Sequence, residues 1–92
     1  LLKGGNMEYG VLRFFDGETI GTDWVHYDFG GFAGNIRIYN DSSKAIEISF
    51  DGGATIHGKV LAGEIIVWER RYEKEIWLRG EEAGSAKRLE AW

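Results

Sequence analysis

Apolar and polar residues alternate along this chain with a period of two, and no stretch sustains the 3.6-residue period of an amphipathic helix. The alternation is broken every 8–12 residues by glycine, aspartate, asparagine or serine, the spacing of short strands in a sandwich or barrel. The pattern predicts strands over residues 8–15, 24–29, 35–40, 45–50, 54–61, 65–70, 75–79 and 86–92. In the second, Val25, Tyr27 and Phe29 share one face and Trp24, His26 and Asp28 the other. Ile36 and Ile38 oppose Arg37 and Tyr39 in the third; Ile46, Ile48 and Phe50 face the core in the fourth, with Glu47 and Ser49 toward water. Turns are expected at Asp16-Gly17, in the glycine-rich stretch 30–34, at 41–44, at Asp51-Gly52 and at 62–64, where small and Asx residues tolerate positive φ or bond the local backbone.

Seven or eight short strands with no helix predict an all-β, single-domain antiparallel β-sandwich of jelly-roll or immunoglobulin-like type. It is expected over residues 8–92, with 1–7 a flexible arm or tag remnant and Met7 a candidate native start. The strands at 65–70 and 75–79 read as a hairpin around residues 71–74 in which Trp68 opposes Leu78 and Arg70 opposes Ile76. Ile66, Trp68, Ile76 and Leu78 then face the core, and Ile65, Val67 and Trp77 are left on the outer face. Unburied apolar surface of that kind implies a partner.

Composition narrows the chemistry. Ninety-two residues form one core and leave a small domain with little stability to spare. With no cysteine there is no disulfide and no thiolate chemistry, which suits a reducing cytosol. The net charge of −4 is shared evenly on either side of Ile46, so the clustered lysine and arginine needed to displace counterions from nucleic acid are missing. No apolar run approaches the roughly 20 residues of a membrane helix, and residues 1–6 lack the apolar core of a signal peptide. Glutamine is absent and glutamate outnumbers aspartate, a bias toward thermophilic sources; the absence of proline points the other way.

No catalytic signature emerges. His26 and Asp28 make an H-x-D pair on one strand face and His57 is the only other histidine, but H-x-D is common by chance in strands and no metal is expected. Asp16, Glu18, Asp23 and Asp28 could supply a glycosidase-like carboxylate pair only around a cleft, and read better as turn-capping or solvated groups. Asn40-Asp41-Ser42 fits the glycosylation sequon but reads as a polar turn. No cofactor is expected. Four tryptophans are many for this length: Trp68 is assigned to the core, and Trp77 and Trp92, with Ile65 and Val67, to an interface. The alternative is a carbohydrate-binding module stacking sugars on Trp24, Tyr27, Tyr39 or Trp77, whose rings suit the apolar face of a pyranose.

One long segment looks familiar. It runs from Ile36-Arg37-Ile38-Tyr39-Asn40-Asp41-Ser42-Ser43 through Ile46-Glu47-Ile48-Ser49-Phe50-Asp51-Gly52-Gly53 and Leu61-Ala62-Gly63-Glu64 to Ile76-Trp77-Leu78-Arg79-Gly80 and a closing Ala91-Trp92. In order and spacing it resembles small β-sandwich virion proteins of tailed bacteriophages and prophages, among them head-decoration and tail-associated subunits. The resemblance covers residues 36–92 and implies a structural protein without catalytic residues. Such a protein assembles in the host cytoplasm as an oligomer with other virion proteins and ends in the virion.

Overall fold

The computed structural model describes residues 13–81 and 85–92, and within it every regular element is a strand. The eight are β1 (Arg13–Ile20), β2 (Val25–Ala33), β3 (Ile36–Asn40), β4 (Ile46–Ser49), β5 (Gly58–Val60), β6 (Ile65–Trp68), β7 (Glu73–Gly80) and β8 (Ser85–Ala91). The expected arm at 1–7 and the start of the expected first strand, 8–12, lie outside the described residues.

All pairings are antiparallel. First pairs with last, β1 with β8, and the rule continues inward through β2 with β7, β3 with β6 and β4 with β5. This folded-back ribbon then rolls up: β3 also takes β8, and β4 also takes β7. The results are two four-stranded sheets, A in the order β1-β8-β3-β6 and B in the order β2-β7-β4-β5. Of the two sandwich types predicted, this connectivity is the jelly roll.

Period-two alternation explains what lies between the sheets. Ile36, Ile38, Leu89 and Ala91 from sheet A meet Tyr27, Phe29, Ile46, Ile48, Val60, Ile76 and Leu78 from sheet B. At about 25 cal/mol per Å² of apolar area removed from water, each large side chain among these contributes roughly 1.5–3 kcal/mol. Half-buried Phe15, Val25, Phe50, Ile66 and Trp68 seal the rim. Two buried polar side chains complete it. Lys87 shares the core face of β8 with Leu89, and its Nζ donates to the Phe15 carbonyl at 2.7 Å above the Tyr27 ring. The Asn40 amide donates to the carbonyls of Val60 (2.8 Å) and Lys44 (2.7 Å), while its oxygen accepts from Ser42. Asn40 is thus a buried brace with its nitrogen fully used, and the sequon has no free acceptor.

The structure revises several boundaries. Asp16-Gly17 does not end β1; it sits inside the strand, where the ladder to β8 shifts register between Asp16 and Thr19. Pairing with a whole partner strand overrides the turn signal, and the extra residue is absorbed as a bulge. The glycine-rich stretch likewise belongs to β2, whose register to β7 shifts between Asp28 and Ala33. There Gly30 takes φ 77° and donates its N–H to Asp28 Oδ1 at 2.8 Å. The strand expected at 54–61 shrinks to Gly58–Val60, so Asp51-Gly52 opens a wide loop rather than a tight hairpin.

The largest correction concerns residues 65–79. β6 and β7 form no hairpin: β6 pairs with β3 in sheet A, and β7 with β2 and β4 in sheet B. The chain crosses between sheets through residues 69–72, where Arg70 and Tyr72 take φ 58° and 56°. Core-facing assignments survive, since Trp68, Ile66, Ile76 and Leu78 all reach the space between sheets. Ile65 and Val67, however, lie outside sheet A and Trp77 outside sheet B, on opposite surfaces of the molecule.

Candidate functional site

The outer face of sheet A carries a shallow depression. β3 turns Ile36, Ile38 and Asn40 inward, so Arg37 and Tyr39 point out. The ladders set Val67 and Glu90 on either side of Arg37, and Ile65 and Arg88 on either side of Tyr39. These six side chains line a space of about 420 Å³. Its β6 wall is aliphatic and its β8 wall charged.

Both walls have a physical reason. Glu90 is buried under Arg37, whose Nε donates to Glu90 Oε1 at 2.7 Å with a second bond from the terminal guanidinium nitrogen. A shielded carboxylate needs such a partner. The same guanidinium lies 5.7 Å from the Trp92 ring centre, an attractive cation–π separation. Trp92 is fixed by its backbone: its carbonyl accepts from Gly34 N and Asn35 N, and its N–H donates to the Asn35 carbonyl. On the β6 side, Ile65 is 57% exposed and Val67 48%. Among the described residues no strand lies beyond β6 in sheet A, so these aliphatics stand on a sheet edge.

The outer face of sheet B is furnished differently. Trp77 stands across from His26 on β2 and from Ser49 on β4. The imidazole stacks on the indole at 4.6 Å and its Nε2 lies 2.7 Å from Glu75 Oε1. Trp24 is covered by the Arg79 guanidinium at 4.4 Å and lies against Gly53, where a Cβ would collide with the ring. Arg79 in turn donates to Glu47 at 2.6 Å. Both indoles on this face therefore already have a neighbour on the ring.

Ser49, expected in water, is on the outer face but buried, because the loop at 51–55 folds back over it. Its hydroxyl donates to Asp51 Oδ1 at 2.7 Å and accepts from Gly53 N at 2.9 Å, while Thr55 N donates to the same carboxylate oxygen at 2.9 Å. Hydrogen bonds from Ser49 first, then Thr55, hold the Asp51 carboxyl at about 2, below its ordinary 3.8. Ser49, Asp51 and His57 cluster without the geometry of a nucleophilic triad: the serine bonds the aspartate, and His57 Nδ1 accepts from Phe50 N at 3.0 Å.

The sequence-predicted residues thus separate. Ile65 and Val67 line the sheet A depression and Trp92 stands beside it, while Trp77 is on the far side. Of the proposed sugar-stacking rings, Tyr39 lines the depression and Trp24 and Trp77 belong to sheet B; Tyr27 is only 4% exposed and is a core residue, edge-on to Phe15 at 5.3 Å. His26 takes Glu75 as its partner, and Asp28 caps Gly30. Asp23 is exposed in a loop, and the side chains of Asp16 and Glu18 lie outside the described ones. Among the described residues no three histidine or acidic side chains converge as a metal site would require. Arg37, Arg88 and Glu90 were not expected; only the β3–β8 pairing makes them neighbours.

No protein-family model matches the chain, and no curated protein matches it.

Proposed function

We propose that this chain is a non-enzymatic structural subunit of a phage or prophage virion, a head-decoration or tail-associated protein that assembles through exposed apolar surface. The observation that carries the reading is the pair Ile65 and Val67, each about half exposed and both on one sheet edge, with Trp92 on the same face beside Arg37. A contact surface, rather than a reaction centre, suits a depression whose carboxylate is tied to an arginine. The virion assignment draws on the resemblance over residues 36–92. It also draws on the jelly roll, an architecture used by capsid proteins and by lectins, though fold alone does not fix function. On a symmetric lattice, modest contacts repeated in many copies give strong attachment. Against a carbohydrate module stand the buried ring of Tyr27 and the occupied faces of Trp24 and Trp77.

The test is sedimentation of the purified chain with undecorated tailed-phage shells. Saturable co-sedimentation is expected, weakened at least about tenfold by Trp92→Ala, the loss of roughly 1.4 kcal/mol per contact. A chain that stays at the top of the gradient with every shell offered overturns the reading.

A further inference from the structure

We infer that β6 is a self-complementary edge, through which two copies of this chain join sheet A to sheet A about a two-fold axis at Ile66. The inference deepens the assembly reading above and rests on its claim that this edge is a contact surface.

The backbone sets the geometry. Asn40 N donates to the Glu64 carbonyl and Gly63 N to the Asn40 carbonyl, so both backbone groups of Asn40 point toward β6 across a one-residue bulge at Gly63 and Glu64, where Gly63 takes φ 74°. Antiparallel ladders alternate, so Ile38 with Ile66 and Ile36 with Trp68 are the hydrogen-bonded pairs toward β3. The N–H and C=O groups of Ile65 and Val67 therefore point away from β3, off the edge. A second β6 laid antiparallel about Ile66 sets Ile65 against Val67 of the second copy and Val67 against its Ile65. Both are hydrogen-bonded pairs, and all four aliphatic side chains share the outer face. One contact covers Ile65 and Val67 and extends over half-buried Ile66 and Trp68.

Register selects a second copy as the occupant. No charged side chain lies within the four residues of β6 itself; Glu64 and Glu69 flank the strand beyond its ends. A slip of one pair in one direction would set Ile65 against Glu69, an aliphatic against a carboxylate, and in the other would set Val67 against Gly63 and keep only the Ile65–Ile65 contact. The edge is only four residues long, and what it needs is an equally short run with β-branched residues on one face; β6 is such a run. Pairing like with like is the isologous contact of a two-fold dimer.

Analytical ultracentrifugation of the whole chain tests the seam, with folding of each variant checked by circular dichroism. A monomer–dimer equilibrium is expected. Val67→Lys, on an exposed position, should weaken it at least about tenfold, and Thr22→Lys, exposed far from the edge, should not. The chain has no cysteine, so a single introduced thiol is diagnostic. Non-hydrogen-bonded pairs bring Cα atoms to about 4.5 Å, within disulfide range, so Ile66→Cys should form a covalent dimer under mild oxidation and Ile56→Cys should not. A strictly monomeric wild type, a dimer indifferent to Val67→Lys, or equal cross-linking of the two thiols overturns the seam. Shell binding by a strict monomer would sink the dimer alone; a β6-dependent dimer that binds no shell sustains the seam and sinks the virion reading.

Discussion

Gly53 has φ 96°, and the Trp24 indole occupies the place where its side chain would begin. Gly53→Ala therefore meets two penalties, and the backbone one alone is about 1–2 kcal/mol; urea unfolding should show at least that loss. Asn40→Ala removes the buried amide's bonds to the Val60 and Lys44 carbonyls, a cost of roughly 1–3 kcal/mol by the same measurement. Expressed through a secretory pathway, the chain should show no glycan at Asn40 by mass spectrometry. Asp51 makes the loop over Ser49 sensitive to acid. A carboxyl held at about 2 against an ordinary 3.8 contributes its full stabilisation above pH 3.8 and loses it as the pH falls through about 2. Carbon-detected NMR titration of the Asp51 carboxyl should find the low midpoint, and Ser49→Ala should raise it.

At the scale of elements, alternation told which way each side chain faces but not which sheet its strand joins. The inward sets Val25-Tyr27-Phe29, Ile36-Ile38 and Ile46-Ile48 were legible because each is a local property of one strand. The β6–β7 assignment failed because Trp68 and Leu78 face the core equally well from opposite sheets, and nothing in residues 69–72 announces a crossing. The same limit divides the residues of the expected interface: Ile65 and Val67 share the outer face of sheet A, and Trp77 lies on the far surface. It also hid the Arg37–Glu90 pair, whose members are separated by most of the chain. That pair adds a side-chain tie to the β3–β8 ladder. Arg37→Ala should cost about 1.5–3 kcal/mol in chemical denaturation, the range for a hydrogen bond to a charged group, whereas breaking the half-exposed Lys59–Glu81 pair by Lys59→Ala should cost no more than about 1 kcal/mol.

For the whole molecule, nearly every ladder joins distant parts of the sequence, with β1 on β8 the extreme case. Folds dominated by such pairings form in milliseconds to seconds. The chain has no proline, so stopped-flow refolding should show no additional phase in the tens of seconds. The strand order carries a further implication for biogenesis. Both inner strands of the sandwich's C-terminal third, β7 in sheet B and β8 in sheet A, bridge partners that are otherwise unconnected: without them β2 is parted from β4, and β1 from β3. On the ribosome, everything made before Glu73 is a set of orphaned fragments with bare edges. Native order must wait for the last strand to emerge, and a prematurely terminated product has no stable half to fall back on.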